Sequence, residues 1–171
     1  METERPSAFQ RALARLARRD HSEAELRRVL ARKGYEPEEI EEALARLRER
    51  RFVDDASYAT RFARTRMSLR GQGRNRIRQA LRQRGVDRQL VERGLEGAAE
   101  DVSEATVLDD VARRYWRTHQ RDEPERRMRR LSEHLYRRGF PVPLILERLR
   151  ALWPRWSDAL AGHDPVDDAD L

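Results

Sequence analysis

Several features common in other protein classes are missing from this sequence, and each absence narrows the possibilities. Without cysteine there is no disulfide framework, thiol nucleophile or zinc–thiolate site, and a reducing cytoplasm is the expected compartment. No apolar run approaches the roughly 20 residues that span a bilayer. The N-terminal residues METERPSAFQ lack the hydrophobic region of a signal peptide. We therefore expect a soluble cytoplasmic protein with no membrane association.

Hydrophobic residues are scarce as well. They make up 38% of the 171 residues, whereas charged residues make up 40%. This composition is too polar for a thick globular core, and the apolar residues are too regularly spaced for a disordered chain. It favours a thin, elongated, helical protein.

No pattern typical of catalysis is present. The four histidines, His21, His119, His134 and His163, are scattered without metal-ligand spacing. The pair Gly71 and Gly73 lacks the patterns of phosphate-binding loops, so a turn between two helices explains it better. We expect no enzymatic activity, no catalytic residues, no metal site and no cofactor.

Positive charge is concentrated in the middle of the chain. Residues 1–60 carry 13 basic and 13 acidic side chains, whereas residues 61–90 carry ten arginines and one acid, Asp87. This segregation indicates an anionic partner, either nucleic acid or an acidic protein surface. The alternative is a solvated surface in a protein that uses arginine for lysine, since Lys33 is the only lysine.

A pattern of apolar residues and a helix-stopping glycine occurs three times. Ser22 with Glu25 forms a predicted capping box, and Pro37 suits the first position of the following helix. The pattern around Gly34 returns at Gly85 and again at Gly139. The aligned positions are Leu26, Ile77 and Leu131; Leu30, Leu81 and Leu135; Ile40, Val91 and Ile145; and Leu44, Leu95 and Leu149. The chain is therefore predicted to be an internal triplication.

The repeat sets the predicted domain organisation. We expect an all-α protein of three tandem three-helix repeats, helix-turn-helix-like, that form an elongated, curved array. The predicted segments are an N-terminal extension at 1–7, three repeats at 8–51, 54–100 and 104–153, and an acidic disordered tail at 157–171.

The candidate contact residues are arginines of the second repeat, whose guanidinium groups can bind phosphate or carboxylate bidentately. They are Arg61, Arg64, Arg74, Arg76, Arg78, Arg82 and Arg84. A helix-turn-helix interpretation would instead place Arg74, Asn75 and Arg78 in a DNA major groove. Tyr58 and Phe62 are more typical of a core than of a platform for stacked bases.

Three segments, 18–66, 71–95 and 126–149, resemble the RecX family of bacterial recombination regulators, and the likeness spans roughly residues 8–152. The residues that match its motifs are Asp54, Asp55, Tyr58, Ala59, Phe62, Gly73, Ile77, Leu81 and Gly85. The resemblance implies a non-enzymatic protein of three helical repeats that lodges in the helical groove of the RecA–DNA filament. It also implies that the protein blocks filament extension or promotes disassembly, and so lowers recombinase, ATPase and co-protease activity.

The resemblance also defines the expected partners. RecA is the first, and DNA, single- or double-stranded, alone or within the filament, is the second, because some family members bind DNA. We expect a monomer. The alternative function is DNA binding independent of RecA through the basic second repeat.

Overall fold

The computed structural model describes residues 5–155, and these residues form an all-helical fold. The predicted tail at 157–171 and most of the predicted extension at 1–7 lie outside the described residues. Within residues 5–155 there are nine α-helices. They are α1 (Ala8–Leu16), α2 (Glu23–Arg32), α3 (Pro37–Glu49), α4 (Asp55–Arg70), α5 (Arg74–Gln83), α6 (Arg88–Ala99), α7 (Glu104–Thr118), α8 (Pro124–Arg137) and α9 (Val142–Leu152).

The helix starts follow from local sequence. At α2 the Ser22 hydroxyl accepts from the Glu25 N–H at 3.1 Å, and the Glu25 carboxylate accepts from the Ser22 N–H at 3.1 Å. The predicted capping box is therefore confirmed. Pro37 occupies the first position of α3, as predicted, where a missing N–H costs nothing.

Each second helix of a repeat ends in the same glycine turn. Gly34, Gly85 and Gly139 have φ angles of 76°, 81° and 89°, which L side chains rarely adopt. The N–H of the next residue reaches back to the last buried leucine of the helix; for example, the Tyr35 N–H donates to the Leu30 carbonyl at 3.3 Å. These three turns are Schellman motifs, which explains why glycine recurs at the same place.

The aligned apolar positions are all buried. Leu26, Ile77 and Leu131 are each 0% exposed. The residues that follow the three glycines, Tyr35, Val86 and Phe140, are buried as well, and the alignment from sequence had not included them. Burying equivalent side chains in each repeat explains the periodicity of the sequence.

The described chain divides into two compact units that do not coincide with the three repeats. Among the described residues, the first unit contains 5–61 and 80–94, and the second contains 62–79 and 95–155. The first and third repeats each hold a hydrophobic cluster of their own. Helices α4, α5 and α6 each contribute residues to both units.

Candidate functional site

In the second unit, the start of α5 is covered by the turn between α8 and α9. The N–H of Gly73 donates to the Arg138 carbonyl at 2.9 Å, and the N–H of Asn75 donates to the Gly139 carbonyl at 3.0 Å. A Cβ on Gly139 would lie 2.4 Å from the backbone nitrogen of Arg76. These contacts satisfy N–H groups that a helix leaves unpaired at its start.

Arg74 completes this covered helix start. Its backbone N–H donates to one carboxylate oxygen of Glu104 at 2.7 Å, and its Nε donates to the other at 2.6 Å. The Glu104 side chain is only 8% exposed. This pairing engages the Arg74 side chain within the protein while Asn75 remains exposed, and the helix-turn-helix interpretation stays a prediction.

The two candidates on α4 hold surface ion pairs. Arg61 lies 3.0 Å from Asp20, and both side chains are more than half exposed. Arg64 pairs with Asp101, where both side chains are again about half exposed. Exposed pairs of this kind contribute about 0–1 kcal/mol, so an anionic partner can replace the carboxylate at little cost.

Arg76 and Arg78 are held by neutral acceptors. The Arg76 guanidinium donates to the Arg137 carbonyl at 2.9 Å, which leaves its charge uncompensated by any carboxylate of residues 5–155. The Arg78 guanidinium is half-buried and donates to the Asn75 side-chain oxygen at 2.8 Å. The Arg76 side chain is therefore fixed in position by a group that carries no charge.

Arg82 and Arg84 differ although they are two residues apart. The Arg82 side chain is exposed and meets no acceptor within the described part of the chain. The Arg84 side chain is 27% exposed, donates to the Ala80 carbonyl at 2.8 Å and lies 4.0 Å from Glu25. Of the seven candidates, Arg82 is thus the most available to a partner.

The aromatic pair of α4 is split between core and surface. Tyr58 is 5% exposed, and burial raises the pKa of its hydroxyl. Phe62 is half-buried, and the Arg66 guanidinium lies 4.9 Å from its ring centre. Tyr58 is a core residue, as predicted, while the ring of Phe62 is partly covered by a cation–π contact.

The structure also brings together arginines that the charge count had overlooked. Arg19, Arg28, Arg32 and Arg84 line one cavity in the first unit. Residues 1–60 carry equal numbers of basic and acidic side chains, so their net charge did not predict a positively charged surface in this part of the chain. Only the fold separates these arginines from the acids that balance them along the chain.

Nothing in residues 5–155 has the geometry of a metal centre, since no three His, Asp or Glu side chains cluster suitably. None of the described helices is long and apolar enough to cross a bilayer. Within residues 5–155, tandem three-helix units place the protein in the class of all-helical repeat proteins.

Comparison with known families identifies the class more closely. Sequence models of the first, second and third three-helix domains of RecX match residues 8–47, 54–95 and 103–149, in that order. The chain belongs to the RecX family of regulatory proteins, which are not enzymes.

Named relatives agree over most of their length. The chain is 34% identical to the regulatory protein RecX of Prosthecochloris aestuarii over 145 residues, which covers 85% of this chain and 93% of the relative. It is 38% identical to that of Halorhodospira halophila over 135 residues, which covers 78% and 81%.

Solved structures confirm the fold. The crystal structure of RecX from Lactobacillus salivarius superimposes with a TM-score of 0.76 at 19% identity, covering 85% of this chain and 94% of the other. A second crystal structure of a regulatory protein RecX gives a TM-score of 0.70 at 24% identity, covering 88% and 70%. The all-α architecture of three-helix domains predicted from sequence is thereby confirmed.

Proposed function

We propose that this protein binds RecA–DNA filaments in their helical groove and inhibits the recombinase, ATPase and co-protease activities of RecA. It acts from the cytoplasm as a stoichiometric inhibitor, by blocking filament extension or promoting disassembly. The observation that carries the proposal is the match of all three RecX domains, in order, over most of the chain.

The repeated architecture supports binding to a filament. A filament presents the same surface many times, and tandem units can contact several copies at once. Contacts that are individually weak then add through a high effective concentration. A protein of this kind needs no single deep binding site.

The charge of α5 supports an anionic contact surface. Arg76 and Arg82 are exposed and have no carboxylate partner within residues 5–155. Uncompensated guanidinium groups attract acidic protein surfaces and the DNA backbone alike. We assign these two side chains the leading contact role, with Arg61, Arg64, Arg74, Arg78 and Arg84 as the remaining candidates.

The test is a titration of the protein into RecA assembled on single-stranded DNA. ATP hydrolysis and strand exchange are both expected to fall as the protein approaches stoichiometric amounts. Unchanged rates at a large excess of the protein would contradict the proposal.

Order of addition separates the two modes of inhibition. When the protein is added to completed filaments with competitor DNA that traps released RecA, promoted disassembly gives a faster loss of ATPase than occurs without the protein. Blocked extension instead leaves that loss at its spontaneous rate and acts only while filaments are growing.

A second function, DNA binding without RecA, is favoured by the same uncompensated Arg76 and Arg82. It predicts tight binding to DNA alone, with an affinity that falls steeply as salt concentration rises. Weak or absent binding at physiological salt would contradict this function and leave filament binding untouched.

A further inference from the structure

A cavity of about 600 Å³ lies within the first compact unit, and its lining includes Arg84, one of the candidate contact residues. Its walls come from the turn between α1 and α2, from α2 and from the end of α5. A volume of this size is within the range of small-molecule sites, about 300–1,000 Å³. The cavity is therefore large enough for a compact ligand rather than a water molecule alone.

Four arginines line this cavity against a single carboxylate. They are Arg19, Arg28, Arg32 and Arg84, and the carboxylate is Glu25. His21 also lines the cavity; it is 6% exposed, and burial lowers the pKa of its imidazole, so it adds no charge at neutral pH. The lining therefore carries three net positive charges.

The Glu25 carboxylate accepts hydrogen bonds from Ser22 and Arg19. It accepts the Ser22 N–H at 3.1 Å in the capping box of α2, and it accepts the Arg19 guanidinium at 3.2 Å. Arg84 lies farther away, at 4.0 Å. Glu25 therefore forms no ion pair with Arg28 or Arg32.

Arg28 and Arg32 are held in place by carbonyl oxygens. The Arg28 guanidinium donates to Ala24 at 3.1 Å and to Gln83 at 3.3 Å, and the Arg32 Nε donates to Arg28 at 3.3 Å. Neither has a carboxylate partner in residues 5–155. Neutral acceptors position a guanidinium without cancelling its charge, so these two groups are ordered and ready to bind an anion.

From this arrangement we propose that the cavity binds a compact polyphosphate group, either as the phosphate chain of a nucleoside triphosphate or as free tripolyphosphate. Guanidinium groups bind phosphate oxygens bidentately, and several of them around one concave space match a group with several adjacent charges. A continuous DNA strand fits less well, because a concave cavity encloses one compact group whereas a strand follows a groove. The proposal does not rest on RecA binding, although Arg84 is also a candidate contact residue of the proposed function.

The experiment is calorimetric titration of the full chain with tripolyphosphate, ATP and adenosine, at constant ionic strength and without Mg²⁺. Tripolyphosphate and ATP are expected to bind saturably with one site per chain, and adenosine is expected not to bind. If ATP binds more tightly than tripolyphosphate, the preferred ligand is a nucleoside triphosphate. If the two affinities are equal, the phosphate chain alone accounts for binding.

The matched variants are R28Q/R32Q and, as a control, R126Q/R129Q. The control removes the same charge from the exposed face of α8, where Arg126 and Arg129 have no partner within the described residues. Loss of two bidentate contacts is expected to weaken binding by about tenfold or more in R28Q/R32Q and to leave the control near wild type. Circular dichroism and the melting temperature confirm that both variants fold.

Three results would overturn the proposal. One is no saturable binding of ATP or tripolyphosphate at millimolar concentration. Another is an equal loss in both variants, which would indicate unspecific attraction by net charge. The third is a loss of single-stranded DNA binding in R28Q/R32Q with no triphosphate binding in the wild type, which would make the cavity a DNA contact.

Discussion

At the scale of single residues, similar side chains have different roles because their neighbours differ. Arg74 is tied to the buried carboxylate of Glu104, whereas Arg82 is exposed without a partner in residues 5–155. Breaking the first pair leaves a buried charge, which is costly, whereas changing Arg82 alters only the surface field. Sequence position alone does not distinguish the two.

His134 is a residue whose charge the fold suppresses. Its Nε2 accepts the Arg138 Nε–H at 2.9 Å, and its ring lies 4.9 Å from that of Tyr115. Burial, and then the positive charges of Arg138 and Arg137, lower the pKa of His134 to about 4. The imidazole is therefore neutral in the folded protein at every pH above that value.

This pKa predicts a pH dependence of stability. A histidine in the unfolded chain titrates near pH 6.5, so between about pH 6.5 and 4 the unfolded state binds a proton that the folded state does not. Stability should fall as pH falls through this window, by about 1–2 kcal/mol after allowance for the partial exposure of the ring.

The measurement is urea denaturation at pH 7 and pH 4.5 for the wild type and H134Q. Glutamine retains an acceptor for Arg138 and has no titration in this range, so the variant should lose less stability on acidification. The same loss in both proteins would show that other groups set the pH dependence.

At the scale of secondary-structure elements, two of the glycine turns also pack against the first turn of another helix. In the first unit the Gly85 turn packs on the start of α2, where the Ser22 hydroxyl donates to the Arg84 carbonyl at 2.6 Å. In the second unit the Gly139 turn packs on the start of α5. Within residues 5–155 no helix start packs on the Gly34 turn, and its Lys33 carbonyl accepts the Arg5 guanidinium at 2.7 Å.

This difference predicts unequal effects of two identical substitutions within the first unit. Gly34→Ala and Gly85→Ala both place a side chain at positive φ, which costs about 1–2 kcal/mol. A Cβ at Gly85 would also lie 2.4 Å from the Cβ of Ala24, whereas the nearest atom to a Cβ at Gly34 is the Arg5 Nη2 at 3.9 Å. Gly85→Ala should therefore lose about 1–3 kcal/mol more than Gly34→Ala.

Urea titrations of the two variants, followed by circular dichroism, measure that difference directly. Gly34→Ala is the control for the cost of a positive φ angle, because Gly34 has the same backbone conformation as Gly85 but does not pack on a helix start. Equal losses of unfolding free energy would mean that the contact between the new side chain at position 85 and Ala24 is relieved by small shifts of the structure at no measurable cost.

At the scale of the whole molecule, function depends on where charge remains after the internal pairs are formed. The formal net charge is +6, but several arginines are neutralised locally by carboxylates distant in sequence. What a partner meets is the remainder, including Arg82 on α5 and the arginines of the cavity beside α2. These two surfaces are proposed to have different ligands.

Charge reversal at Arg82 tests the filament-binding surface. R82E is expected to raise the amount of protein needed for half-inhibition of RecA ATPase by about threefold or more, because a like charge now faces an acidic surface. R126E, the same change on α8, is the control and should inhibit like the wild type. Both variants should keep the wild-type melting temperature, because neither side chain has a partner within residues 5–155.

Equal inhibition by R82E and wild type would remove Arg82 from the contact surface. A large fall in the melting temperature of R82E would instead give that residue a structural role. Comparison with R126E separates a local effect from a change in net charge alone.

Much of the fold was predictable because its determinants are local or periodic. The capping box at Ser22, Pro37 at a helix start and the three glycine turns depend on residues only a few positions apart. The buried positions of each repeat recur at fixed spacing. Helix ends are the least certain feature of such patterns.

The sequence by itself therefore determined the helices, the triplication and membership of the RecX family. Only the tertiary structure decided which arginines remain available. Arg74 pairs with Glu104, Arg28 reaches Gln83, and the Gly139 turn covers the start of α5, all across 30 residues or more. Such contacts leave no periodic trace, because one carboxylate or one carbonyl anywhere in the chain can complete them once folding brings it close.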